Sequence, residues 1–126
     1  MFLDKLKKYL SLWVPVIFWC SVIFFFSSIP NLKIEALGFW DIIFRKIAHI
    51  LEFGILTVLF VRAFSQTLKN NINFWSGFSS FVYATTDEFH QLFVPGRGPS
   101  PVDVFIDTIG IFLALLILKY VRKKKN

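Results

Sequence analysis

Four apolar runs, at roughly residues 12–29, 42–64, 74–94 and 102–121, fill most of this 126-residue chain and leave it few ways to fold. Each is close to the ~20 residues that an α-helix needs to cross about 30 Å of hydrocarbon. The joints between them are short and carry turn residues: Pro30-Asn31, Asn70-Asn71 and Pro95-Gly96-Arg97-Gly98-Pro99. The expected fold is an all-α membrane protein, a bundle of four transmembrane helices forming one domain over residues 1–126. Neither an internal repeat nor a low-complexity segment interrupts this pattern.

Composition supports the same class. With 56% apolar and 19% aromatic residues the chain is too greasy for a small soluble domain, and its 17 Phe suit a lipid-facing surface. A formal charge of +6 raises the question of nucleic acid. The cations gather at helix ends instead of along a polar face, so membrane topology accounts for them and no nucleic-acid partner is expected. The first run follows Lys5, Lys7 and Lys8 as the core of a signal peptide would. It exceeds the ~7–15 residues of such a core, and Phe26 stands where cleavage after Ser28 needs a small residue, so it reads as a retained span. Pro15 is expected in its first turns, where a missing amide does least harm. Trp13, Trp19, Trp40 and Trp75 read as interfacial anchors, and the single Cys20 as a packing residue with no disulfide partner.

Lys and Arg set the orientation. Lys5, Lys7, Lys8, Arg62, Lys69, Lys119 and Arg122 to Lys125 fall on one side, while only Lys33, Arg45, Lys46 and Arg97 lie on or near the other. The positive-inside rule then places both termini in the cytoplasm. Every acid except Asp4 falls outward: Glu35, Asp41, Glu52, Asp87, Glu88, Asp103 and Asp107. A carboxylate in hydrocarbon costs several kcal/mol, so such groups face a bundle interior or a wet cavity and mark a site.

Helical periodicity sorts these groups into stripes. On the second helix Asp41, Arg45, Lys46, His49 and Glu52 share an arc of roughly 140°, with Glu52 about 15 Å deep at ~1.5 Å per residue. Ser76, Ser80, Tyr83, Asp87 and Gln91 line one side of the third helix, flanked by Glu88 and His90. On the fourth, Asp103, Asp107, Gly110 and Ala114 share a face whose small pair would admit a close neighbour. An inward-facing bundle satisfies all three stripes at once. The candidate site is an outward-opening polar pocket of Lys46, His49, Glu52, Asp87, Glu88, Gln91, Arg97, Asp103 and Asp107.

Three chemistries fit these residues. Lys46 and Arg97 can neutralise the acids in a salt-bridged network, His49 with Glu52 or His90 with Asp87 and Glu88 could hold a divalent metal, and the carboxylates could relay protons. No compact metal motif of the His-Glu-x-x-His type is present, so no metal site and no cofactor are assigned. A structural latch of paired charges is the plainer reading of the whole cluster. Asp103 also suits the helix dipole at the start of the fourth helix. Ser80 and Ser100 show no paired base that would make either a nucleophile.

At this point the motifs resemble a known family. Lys46-Ile47-Ala48-His49, then Asp87-Glu88-Phe89-His90-Gln91, Val94-Pro95-Gly96-Arg97 and Ser100, Asp103, Asp107 and Gly110 in order are similar to the VanZ-like membrane proteins, in register over the second to fourth spans. Arg45 stands where an Asp is common beside the Lys, and Ala114 where a second Gly often appears. The resemblance implies a small multi-pass protein of the bacterial cytoplasmic membrane; the family's namesake is associated with resistance to the lipoglycopeptide teicoplanin. Two function classes follow. One is an envelope protein whose outward pocket binds membrane lipids, a lipid-linked cell-wall precursor or a lipidated antibiotic. The other is an intramembrane enzyme modifying an envelope lipid, with Asp87 or Glu88 as base and His49 or His90 as partner.

If the three stripes meet in an outward pocket, the single variants His49→Cys, Asp87→Cys and Asp103→Cys react with polar thiol reagents from outside the cell, and pairs of them cross-link. Protection of all three, with no cross-linking, would refute the shared pocket.

Overall fold

A computed structural model describes residues 1–29, 35–96, 98 and 100–125. Those residues form helices α1 (Phe2–Ser27), α2 (Phe39–Ser65), α3 (Ile72–Gln91) and α4 (Pro101–Lys125), with one 3-10 turn at Glu35–Leu37 before α2. Among the described residues there is no strand. Three helices, α1, α2 and α4, are long and apolar enough to cross a membrane. The chain is a multi-pass membrane protein.

The third helix, expected as a span over 74–94, ends at Gln91 and falls short of that apolar standard. Its sequence explains why. Ser76, Ser80, Asp87, Glu88 and Gln91 are all buried, whereas Phe74, Trp75, Phe78, Phe81, Val82 and Phe89 are exposed. The helix is polar inside and apolar outside, so its mean hydropathy understates the surface it shows to lipid.

Turn chemistry sets the joints. Gly38 (φ 56°), Asn71 (φ 60°) and Gly96 (φ 76°) take the left-handed conformations that start α2 and α3 and turn the chain after α3. Ser100 caps α4: its Oγ accepts the Val102 N–H at 3.1 Å, and Pro101 follows at the first helical position, where no amide is missed.

The first helix departs most from expectation. It starts at Phe2, ten residues before the apolar run, and Pro15 therefore lies in its interior. Proline there deprives the carbonyl four residues back of its donor. That carbonyl belongs to Ser11, and the Arg62 guanidinium of α2 donates to it at 2.9 Å. A cation at the end of α2 thus replaces the amide that Pro15 lacks. Trp19 differs too: instead of anchoring at an interface, its Nε1–H donates to the Glu52 carbonyl of α2 at 2.8 Å. Trp13 packs edge-on against Phe60 and Phe64.

The helices alternate in direction. α2 and α4 run parallel, matched at Lys46 with Asp103, His49 with Asp107 and Gly54 with Ala114. α3 returns between them, with Thr57 hydroxyl-bonded to Ser80 at 2.9 Å. α1 packs on α2 and α3; among the described residues no Cα of α1 comes within 8 Å of one in α4. The section is a rhombus of two triangles, α1-α2-α3 and α2-α3-α4, sharing the α2–α3 edge. Its apolar core runs through Leu12, Val16, Ile23, Phe53, Leu56, Ala63, Ala84 and Ile111.

Gly110 fixes the closest approach. A methyl group there would run into the Ile50 carbonyl oxygen and lie 3.0 Å from its carbonyl carbon and Cα. At Gly54 the nearest atom to such a methyl would be the Gly110 carbonyl oxygen, at 3.4 Å. Small residues let two backbones pack by dispersion where lipid offers no hydrophobic drive. Gly110→Ala should therefore destabilise the fold by ~1–3 kcal/mol through overpacking, and Gly54→Ala by less. Equilibrium unfolding of both variants in detergent checks the order; equal stabilities would contradict it.

Candidate functional site

The polar residues collect at the end of the bundle where α1 and α3 finish and α2 and α4 begin. There the α2–α4 pairing aligns two ion pairs on successive turns. Lys46 Nζ lies 3.9 Å from Asp103 Oδ1, and His49 Nδ1 lies 2.9 Å from Asp107 Oδ1. The first is loose, its lysine side chain 44% exposed; the second is tight, its aspartate fully buried. A carboxylate only accepts, so His49 donates from Nδ1 and its tautomer or charge state is set by Asp107. Arg45 extends the series upward, with Nε 3.1 Å from Asp41 Oδ2 but aimed off the hydrogen-bond line.

From α3, Glu88 reaches the start of α4, where Oε2 accepts the Ser100 N–H at 2.9 Å. Gln91 donates to Asp87 Oδ2 one turn away at 3.3 Å. Two carboxylate oxygens in this cluster, Glu88 Oε1 and Asp107 Oδ2, are buried with no hydrogen-bond partner. A buried carboxylate oxygen without a protein donor calls for a partner such as water or a ligand group.

Two cavities open into this network. The first, about 300 Å³, is lined by Ile42, Arg45, Lys46, His49, Gln91, Gly96, Gly98, Ser100, Val102 and Asp103, between α2, the end of α3 and the start of α4. The second, about 250 Å³, lies in the α1-α2-α3 triangle among Ile23, Phe26, Ser27, Arg45, Ala48, His49, Glu52, Asp87 and Gln91. The first presents mainly polar groups and the second mainly apolar ones. Arg45, His49 and Gln91 border both.

Most of the residues expected in the site come together at this end of the bundle. Lys46, His49, Gln91 and Asp103 line the polar cavity, and Glu52 and Asp87 line the second. Asp107 stands behind His49, and Glu88 joins α3 to the α4 start. Arg97 lies outside the described residues. His90 does not join the group: its ring stacks on Phe24 of α1 with centroids 4.4 Å apart, and Nε2 lies 2.9 Å from Ser28 Oγ. The Ser28 hydroxyl already donates to the Phe24 carbonyl, so His90 supplies the proton. His90 fastens α1 to α3.

Sequence reasoning placed Arg45 on the polar arc yet left it out of the pocket, and it missed the wall contributed by α1. Ser27 and Ser28, closing an otherwise apolar run, were the available signal. Ser80 bonds to Thr57, which itself donates to the Phe53 carbonyl, so its role is internal packing. Among the described residues no three His, Cys, Asp or Glu side chains converge as a metal would need.

Among known proteins, the family described as VanZ/LLP1 has a model that matches residues 12–122. The match takes in most of α1 as well as the three helices that carry the motif resemblance. No curated protein and no solved structure matches the chain.

Breaking the tight pair should be costly. His49→Leu strands the Asp107 carboxylate in the bundle and should destabilise by ~3–5 kcal/mol, while the double variant with Asp107→Leu recovers much of the loss. Thermal unfolding of both single variants and the double variant measures this, and strict additivity would show that the two residues do not interact.

Proposed function

The chain belongs to the VanZ/LLP1 family, and from that premise we propose that it binds lipid-linked or lipidated envelope molecules from the outer leaflet of the bacterial cytoplasmic membrane. The observation that carries this reading is the pairing of the two cavities. An amphiphile needs a polar seat and an apolar seat in contact, and Arg45, His49 and Gln91 are the shared wall of such a pair. In this reading an anionic headgroup meets Lys46 and Arg45, its hydroxyls meet Asp103, Gln91 and Ser100, and the first carbons of its chain lie against Ile23, Phe26 and Ala48.

Orientation supports the outward direction. The basic segments at Lys5 to Lys8 and Arg122 to Lys125 sit at the end opposite the site, so the positive-inside rule turns the site outward and both termini inward. Sequestering a lipid-anchored target or a lipidated antibiotic at that surface would change susceptibility to teicoplanin-type compounds.

Native mass spectrometry of the protein released from nanodiscs of phosphatidylglycerol and phosphatidylcholine tests the binding. Wild-type protein should retain phosphatidylglycerol preferentially, and Lys46→Met should weaken retention ~10-fold, the worth of a hydrogen bond to a charged group. Equal retention of both lipids by wild-type and variant would remove the headgroup role.

A further inference from the structure

We propose that the site also acts on what it binds: His49 is the general base for hydrolysis of a phosphate ester in the headgroup, and Asp107 is its positioning residue. This rests on the reading that an amphiphile's headgroup occupies the polar cavity.

The geometry is that of a base and its orienter. Asp107 is fully buried and accepts from His49 Nδ1 at 2.9 Å, so the imidazole is held in one plane and one tautomer. The opposite ring nitrogen, Nε2, has no hydrogen-bond partner among the described residues, on a side chain that borders both cavities. His90 shows what a structural histidine looks like in this fold: its ring is stacked and its Nε2 engaged. Among the described residues His49 is held at one nitrogen and open at the other. The glycine contact guards this arrangement, since Ile50 follows His49 and Gly110 lies one turn below Asp107. The dyad distance is therefore set by a backbone contact.

The cations define the substrate class. Lys46, half exposed and 3.9 Å from Asp103, is loosely held, and Arg45 lies one residue before it on the same cavity wall. Two cations beside an open imidazole suit a phosphate ester, whose non-bridging oxygens carry charge throughout the reaction. A water molecule attacks phosphorus and gives its proton to His49 Nε2. The new P–O bond forms as the P–O bond to the alcohol breaks on the opposite side of phosphorus; the departing oxygen takes a proton from solvent there, and the imidazolium returns its own proton to solvent. Water and phosphodiester give phosphomonoester and alcohol.

The test incubates the full chain in 18O-water, in nanodiscs of phosphatidylglycerol and in nanodiscs of a total bacterial polar-lipid extract, and follows the label by mass spectrometry. Label should enter a phosphate product. His49→Gln should slow this ~100-fold or more, the usual worth of a general base. Asp107→Asn should lower kcat with KM unchanged, Asp107→Glu should restore part of the rate, and His90→Gln should turn over normally. Should His49→Gln fail to fold, the kcat and KM of Asp107→Asn decide. No labelled phosphate in either lipid, from protein that retains lipid in the native spectra, overturns the hydrolysis while leaving binding intact. Full rate in His49→Gln, or label entering a fatty acid instead, also overturns it. Protein that retains no lipid removes the binding reading and this one together.

Discussion

The backbone contact between Ile50 and Gly110 governs the upper half of the molecule. It brings two parallel helices so close that no side chain fits between them, and it fixes their register to a single turn. Everything polar above it follows. Once Ile50 rests on Gly110, His49 must face Asp107 and Lys46 must face Asp103, because each pair lies a fixed number of residues higher on the two helices. In lipid, where apolar side chains gain nothing by meeting each other, a contact of this kind supplies both the adhesion and the alignment. The ion pairs by themselves would be poor architects, since desolvating two charges offsets much of their attraction.

The molecule is organised inside out. Asp41, Thr57, Ser76, Ser80, Asp87, Glu88, Gln91 and Asp107 are buried, while a long series of Phe, Leu, Ile and Val faces outward. Along the bundle the interior grades from hydroxyls that bond to backbone and to each other, near Thr57 and Ser80, to carboxylates that do not all find partners, near Glu88 and Asp107. The lower polar groups hold the helices together. The upper ones include two carboxylate oxygens, on Glu88 and Asp107, with no hydrogen-bond partner among the described residues.

Helix number, the polar stripes and the α2–α4 small-residue face were legible from the sequence, because each is a periodic pattern on one helix. Gly110 and Asp107 could be placed on one face from spacing alone. What spacing could not show is which helices touch. The bond by which Arg62 answers Pro15 joins it to Ser11, 51 residues away, and nothing in the first run foretells it. His90 illustrates the same limit. Beside Asp87 and Glu88 in sequence it looked like their partner; at 100° per residue it points away from Glu88, and although it lies one turn from Asp87 it serves α1. The α3 hydropathy was likewise lowered by residues that never meet lipid.

The rhombic section has a consequence for how such a protein can diversify. Among the described residues α1 walls the apolar cavity and its backbone stays away from α4, which with α2 walls the polar one. Substitutions on α1 at Ile23, Phe26 and Ser27 therefore reshape one wall of the apolar cavity while the His49–Asp107 pair and its glycine contact are carried by other helices. One wall of the apolar cavity is thus carried on a helix that, among the described residues, contributes nothing to the polar one, so that wall can drift under selection while the residues shared by both cavities are held fixed.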